Sequence, residues 1–386
     1  MWWTILILGW VIFVVWAVAL VPSAVMLHRR TLPRETATLP EPDSWPLVSV
    51  IVAARDEAEH VEAGLRSISA SDYPNLEIIA VNDRSRDATG TMMDELAAGD
   101  ARLQVLHVTK LPEGWLGKTH ALHVAAQAAR GEFLLFTDAD VMFEPDSIRI
   151  SIKYADHKGV DHLCLMPQMI SGGYWENALV AYFGVMMVFA VQIWLVPTMF
   201  RWSYIGIGAF NLVRREAYAS VGGHQPIRLD VLDDVKLGKM MKRSRFRQDF
   251  LLGGDRLRVR WQPSAWGVIC GLEKNAFAAL DYSIVKLISV TLAFCVLAVF
   301  PYAVVAALPD ARCGGYAASL ILVHVLYAVL GHTFGSGWSV LPAFPLAGLA
   351  MMSAFWRSAV ITLRQGGVCW RDTFYPLATL REHLYR

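Results

Sequence analysis

The run Phe133-Leu-Leu-Phe-Thr-Asp-Ala-Asp140 ends an apolar stretch in two carboxylates, one residue apart. Held at a strand end, two such side chains can share a hard divalent cation while one of them also takes a sugar hydroxyl. A cation bound in this way keeps several waters and accepts substrate phosphates. Asp-x-Asp alone is weak, because a chain of this length holds about one by chance. Further carboxylates repeat the pattern. Asp56-Glu57 and Asp83 each close an apolar run, and Asp233-Asp234 is a second acidic pair much later in the chain. N-caps and turns explain any single one of these, but explain their recurrence at strand ends poorly.

The elements that must hold these groups are legible. Residues 46–53 read as a buried strand, followed by Ala54-Arg55-Asp56-Glu57. A short helix over 60–70 and a turn at Asp72-Tyr-Pro-Asn75 lead to a second strand over 76–81, which ends in Asn82-Asp83-Arg84-Ser85. A helix starts near Asp87, capped by Asp87 or Ser85. Residues 103–108 form a third strand, 120–129 a helix and 133–137 a fourth strand. Strands alternating with helices imply a parallel sheet with right-handed crossovers. Ligands sit at the carboxyl ends of such strands, so Asp56, Glu57, Asp83, Asp138 and Asp140 should line one edge. Two other motifs fail. Gly117-Lys118-Thr119 resembles the end of a phosphate-binding loop, but Pro112 stands where that pattern needs glycine. No G-x-G-x-x-G follows the first strand, which argues against a dinucleotide site.

With 386 residues, 55% of them hydrophobic, and 14 Trp, part of the chain belongs in lipid. A net charge of +1 gives no reason to expect nucleic acid. Five scattered cysteines without C-x-x-C spacing argue against a zinc site or a disulfide framework. Residues 1–27 are almost uninterrupted apolar sequence and lack a basic n-region, so they read as an anchor rather than a cleaved signal. His28-Arg29-Arg30 then places its carboxyl end in the cytoplasm. Residues 284–308, 315–334 and 339–361 are each long enough to span. The expected organisation is an anchor over 1–27, a linker over 28–45 and a cytoplasmic catalytic domain over 46–280. A membrane region of two to three spans over 281–363 and a basic tail over 364–386 follow. The tail carries Arg364, Arg371, Arg381 and Arg386. The segment 178–200 is apolar enough to span, but it lies between Asp140 and Asp234. One crossing would put the two carboxylate clusters on opposite sides of the bilayer, so the segment should be buried or interfacial.

Four segments together resemble a known family. These are Val48-Ser-Val-Ile-Val-Ala-Ala-Arg-Asp-Glu57, Asn82-Asp-Arg-Ser85, Thr137-Asp-Ala-Asp140 and Leu232-Asp-Asp-Val-Lys-Leu237. In order and spacing they are similar to the inverting, GT-A-fold glycosyltransferases of family 2. Gly114-Trp-Leu-Gly-Lys-Thr-His-Ala-Leu122, Asn211-Leu-Val-Arg-Arg-Glu-Ala-Tyr218 and Gly222-Gly-His224 look like the subgroup acting on membrane lipids, such as hopanoid-associated and carotenoid glycosyltransferases. The resemblance implies an α/β fold: a Rossmann-like mixed sheet that binds a nucleotide-sugar, flanked by transmembrane helices. It departs at one motif, because Leu257 stands where a (Gln/Arg)-x-x-Arg-Trp pattern has its first residue, before Arg260-Trp261.

What the resemblance implies is a metal-assisted hexose transfer from a UDP-sugar to a lipid hydroxyl at a bacterial-type inner membrane. Asp83 would meet the uracil, with Glu57 and the backbone of Ala53 to Arg55 beside it. Asp138 would meet the ribose or sugar and share Mg2+ or Mn2+ with Asp140. Lys118 would add positive charge at the diphosphate. Asp234 is the expected general base, with Asp233 raising the pair's apparent pKa; the two can at the same time cap a helix over 235–243, whose start is a rigid mount for a base. Arg260 and Trp261 are candidate acceptor contacts, and His224 is an additional candidate ligand or a turn histidine. Two competing readings are a processive polysaccharide synthase, which needs more spans and the full Arg-Trp motif, and a non-catalytic binding module, which would be expected to lose carboxylates.

Overall fold

The computed structural model describes residues 2–170, 172–308 and 310–385; Arg386, counted above in the basic tail, lies outside them. Two compact units divide the chain. One holds Arg29–Gln168 and Leu195–Arg260 with the last residues of the chain, and the other holds Met1–His28, Met169–Trp194 and Trp261–Glu382. The expected region 46–280 is thus interrupted, because the stretch around 169–194 belongs to the second unit.

The first unit is built on an eight-stranded sheet. In chain order its strands are β1 (Val48–Ala54), β2 (Leu76–Asp83), β3 (Leu103–Val108), β4 (Phe133–Asp138), β5 (Met142–Phe143), β6 (His162–Met169), β7 (Asn211–Arg214) and β8 (Gln248–Val259). They lie in the order β3-β2-β1-β4-β7-β6-β8-β5. The first four are parallel, as their helix-separated spacing predicts. β7 then pairs antiparallel with both β4 and β6, so the sheet is mixed. β1, β2 and β4 are buried almost without a break, which is why they read as continuous apolar runs rather than alternating ones.

Helices Val61–Ser69, Thr89–Gly99 and Gly117–Ala128 follow the first three strands. The third of these begins three residues before the expected start, so Lys118 sits in its first turn. The Thr89–Gly99 helix is not capped by Ser85, whose hydroxyl instead accepts the Asp56 N–H at 3.1 Å. Asp87 does bond the Thr89 N–H, at 3.0 Å. One apolar cluster joins Ile51, Val81, Leu134 and Phe136 of the sheet to Leu237, Met240 and Met241 of helix Asp233–Arg243. That burial fixes the helix whose first turn carries both acidic residues. Tyr385 reaches back to the same helix, and its carbonyl accepts from Lys236 Nζ at 2.9 Å.

The second unit contains apolar helices. Among the described residues five helices are long and apolar enough to cross a membrane: Trp2–Arg29, Tyr174–Val191, Ile284–Ala307, Ala311–Thr333 and Trp338–Gln365. Gly9 and Gly315 permit a close approach, since a Cβ at Gly315 would lie 2.5 Å from Gly9 backbone carbon. Small residues serve apolar helices in this way where lipid gives no hydrophobic drive to associate. The Tyr327 hydroxyl donates to the Ala178 carbonyl at 2.8 Å, fastening the Tyr174–Val191 helix to its neighbour.

Candidate functional site

Parallel pairing in register brings the strand ends level. Ala53 of β1 stands beside Asp138 of β4, and Ala54 beside Asn82 of β2. The loops beyond β1 and β2 are stitched together. The Asp56 N–H bonds Ser85 Oγ, the Glu57 N–H bonds Thr89 Oγ1 at 2.8 Å, and the Arg86 N–H returns to Asp56 Oδ1 at 2.7 Å. Asp56 and Arg84 both take positive φ, 53° and 57°, at the two bends.

Asp138 and the Asp233-Asp234 pair meet at one lysine. Lys118 Nζ donates to Asp138 Oδ1 at 2.6 Å and lies 3.9 Å from Asp233 Oδ1. Asp234 lines the same small cavity, with Thr137, Gly208 and His224. Burial works against the lysine's charge, but Asp138, Asp233 and Asp234 outweigh it and hold the ammonium well above its ordinary pKa. Asp234 is pushed well above the carboxylate range, first by burial and then by Asp233 beside it; Lys118 only partly offsets this. The pair stands at the helix start, one position later than a cap. The helix takes both aspartates into its first turn behind Leu232, and Asp234 Oδ1 accepts its neighbour's N–H from Val235 at 2.8 Å.

Three glycines, invisible as a motif in the sequence, make this meeting possible. The segment 205–208 runs between the end of β4 and the Asp233–Arg243 helix. A Cβ at Gly206 would fall 1.7 Å from the Asp234 carbonyl oxygen, and one at Gly238 would fall 1.8 Å from the Ile205 carbonyl oxygen. A Cβ at Gly208 would fall 2.6 Å from Asp138 Oδ2. No real side chain fits at such distances. Gln248, at the start of β8, locks the arrangement. Its amide nitrogen bonds the carbonyls of Ile205 and Gly238, each at 3.0 Å, and its oxygen accepts the Ile205 N–H at 3.1 Å. Neither the glycines nor Gln248 carries chemistry, so nothing in their residue types marked them.

Asp140 is raised to about 6, first by burial and then by the nearby charges of Asp138 and Glu57. A bound cation would relieve that crowding, and the donors are hard oxygens that suit Mg2+ or Mn2+. Among the described residues no group of three or more His, Cys, Asp or Glu side chains forms a cage. The residues therefore fit a cation held by two carboxylates and completed by a diphosphate, and one of those carboxylates now faces Lys118.

Other expected residues lie apart or are engaged. Asp83 is buried, and both its oxygens are taken by Arg84, at 2.7 and 2.9 Å. A Cβ at Gly117 would strike Asp83 Oδ2 at 2.5 Å, so the start of the Lys118 helix rests on this pair. Arg55 lies 3.8 Å from Asp56. His224 is buried, its Nδ1 2.7 Å from the Tyr218 hydroxyl, and burial lowers it to about 3. Arg260 follows β8 as an ordinary strand end, and Trp261 packs tilted against Phe183 with ring centroids 4.7 Å apart. Neither is among the residues lining the cavity.

Residues 49–222 match the family profile described as glycosyl transferase family 2. The matched stretch is a little under half of the chain and takes in strands β2 to β7 of the mixed-sheet domain. The mixed sheet of this domain has the GT-A architecture. A mannosyltransferase from Pyrobaculum calidifontis, solved in complex with GDP-Man and Mn2+, superposes with a TM-score of 0.52 at 18% identity, covering 92% of this chain and 98% of that one. The chain is also similar to two curated bacterial proteins. One is a 4,4'-diaponeurosporenoate glycosyltransferase of Staphylococcus haemolyticus, 25% identical over 51% of this chain and 52% of the relative. The other is a β-monoglucosyldiacylglycerol synthase of Trichormus variabilis, 27% identical over 47% of this chain and 38% of the relative. The chain thus spans about half or less of the length of the curated relatives it matches.

Proposed function

We propose that this chain is a membrane-bound inverting glycosyltransferase that moves a hexose from a UDP-sugar to a lipid hydroxyl on the cytoplasmic leaflet of a bacterial-type inner membrane. The observation that carries the reading is Lys118 between Asp138 and Asp233, at 2.6 and 3.9 Å, with Asp234 beside them. The names of two relatives, a 4,4'-diaponeurosporenoate glycosyltransferase and a β-monoglucosyldiacylglycerol synthase, support a lipid acceptor. UDP rests on the motif resemblance, since the superposed mannosyltransferase carries GDP-Man.

In this reading the loops after β1 and β2 hold the nucleotide, through the backbone of Ala53 to Arg55 and the side chains of Glu57 and Asp83. Asp83 reaches uracil only once Arg84 turns away. Asp138 orients the sugar, and with Asp140 it would hold Mg2+ or Mn2+, which supplies positive charge where the departing diphosphate becomes more negative. Lys118 adds a second cation on that side. Asp234 takes the proton from the acceptor hydroxyl as its oxygen attacks the anomeric carbon opposite the diphosphate. One C–O bond forms, the sugar–phosphate C–O bond breaks, and UDP leaves. A carboxylate held above its usual pKa suits this role, because a stronger base is better matched to an alcohol proton. Arg260 and Trp261 would contact the acceptor on the family resemblance alone.

The test is to incubate detergent-solubilised protein with a panel of UDP-sugars and native lipid extract, reading products by mass, with Asp234→Asn alongside. The wild type should glycosylate a lipid from one donor, and the variant should lose about a hundredfold or more of that rate with its UDP affinity kept. A variant that retains most of its turnover removes Asp234 from the role of base.

A further inference from the structure

A second cavity in the sheet unit is larger than the one around Lys118. It has a volume of about 710 Å3, the size of small-molecule sites in general. Its walls carry Arg30, Lys158, Arg201, Lys242, Arg245 and Arg247 against only two acidic side chains, Glu35 and Asp249. Both acids are already paired with Arg30, which bonds Asp249 at 2.9 Å and lies 3.6 Å from Glu35. The Tyr154 hydroxyl donates to Asp249 at 2.7 Å as well. Lys242 is buried and donates to the carbonyls of Val196 and Thr198, so backbone dipoles rather than a carboxylate hold it. Lys158, Arg201, Arg245 and Arg247 are exposed, and among the described residues their side chains have neither an ion-pair nor a hydrogen-bond partner. A concave wall with this surplus of uncompensated positive charge attracts anions, and guanidinium groups match phosphate oxygens in particular.

The rim narrows the class of anion. Met199 belongs to the wall, and Phe200 and Trp202 continue the same loop; they are 91%, 51% and 55% exposed. Three large apolar side chains beside a basic hollow are the combination that seats a protein at a lipid headgroup layer. The wall residues are also close in chain to helices of spanning length. Arg30 directly follows the helix ending at Arg29, and Pro197 comes six residues after the helix ending at Val191. Lys242 stands eight residues beyond Asp234 on one helix, about 12 Å along its axis. The hollow is therefore separate from the carboxylate cavity.

We propose that this hollow is a second binding site, which takes the phosphate headgroup of an anionic membrane lipid while Met199, Phe200 and Trp202 enter the acyl boundary. The site is independent of the transfer reaction proposed above, because binding there needs neither donor nor Asp234.

Thermal unfolding of the full chain in a neutral detergent tests it, with short-chain phosphatidylglycerol, short-chain phosphatidylcholine and glycerol phosphate as probes. Phosphatidylglycerol should raise the midpoint, and the other two should not. A variant with Lys158→Gln, Arg201→Gln and Arg247→Gln should unfold at the wild-type midpoint without lipid and lose the phosphatidylglycerol shift. Equal shifts with phosphatidylcholine, or a full shift retained in the triple variant, would overturn the proposal. A shift reproduced by glycerol phosphate would make the hollow a site for free phosphate compounds and would equally overturn the lipid assignment.

Discussion

Asp140 carries a cost that can be measured. Burial and the charge of Asp138 push its carboxyl up to about 6, against about 3.9 in an unfolded chain, a gap worth at most about 3 kcal/mol. The sign follows from linkage. A carboxyl whose folded pKa is raised favours the folded state while protonated in acid, and that advantage is lost as pH rises through the folded value. Asp140→Asn should therefore unfold at a higher temperature than wild type at pH 8, with the gain fading towards pH 4. Adding Mn2+ and UDP should stabilise the wild type and act far less on the variant. Melting curves at the two pH values check both statements, and a variant less stable than wild type at pH 8 would refute the crowding. The carboxylates themselves were legible because acidic residues ending apolar runs are rare in combination. Their partners were not. Arg84 folds over Asp83 only because its backbone turns to positive φ, and Lys118 bonds Asp138 only because its helix starts at Gly117. Neither fact follows from composition.

At the scale of elements, the four parallel strands were readable from their apolar runs and turn residues, while the antiparallel return through β7 was not. That strand is four residues long, and β4 decides its direction. The segment 205–208 was likewise hidden, since nothing in the residue types of Gly206 and Gly208 shows that atoms of Asp234 and Asp138 lie against them. Gly206→Ala and Gly238→Ala each force backbone apart where contact is already closed. Each should cost ~3 kcal/mol and displace Asp234, so that residual activity falls further than residual fold. Circular dichroism melts combined with single-turnover rates would separate the two losses. A Gly206→Ala protein with wild-type melting would mean the segment has slack.

For the whole molecule, the apolar stretch 174–191 is the informative one. Strands β4 and β7, one before it and one after, pair in a single sheet, so a helix between them cannot make one crossing of a bilayer. With Trp2–Arg29 and Ile284–Ala307 as crossings, residues near 312 should face away from the catalytic side and residues near 41 towards it. In an otherwise cysteine-free background, Arg312→Cys should react with a membrane-impermeant maleimide on intact cells and Glu41→Cys should not. The reverse pattern would invert the proposed orientation.

The ammonium of Lys118 has an effect on traffic through the site. With one aspartate already bonded and two more close at hand, Lys118 itself supplies positive charge to this part of the cluster. Under the proposed function a nucleotide-sugar would bring the negative charge that draws the lysine off Asp138, and only then would that oxygen become available. Donor and cation should accordingly load together and, once the sugar is gone, leave together.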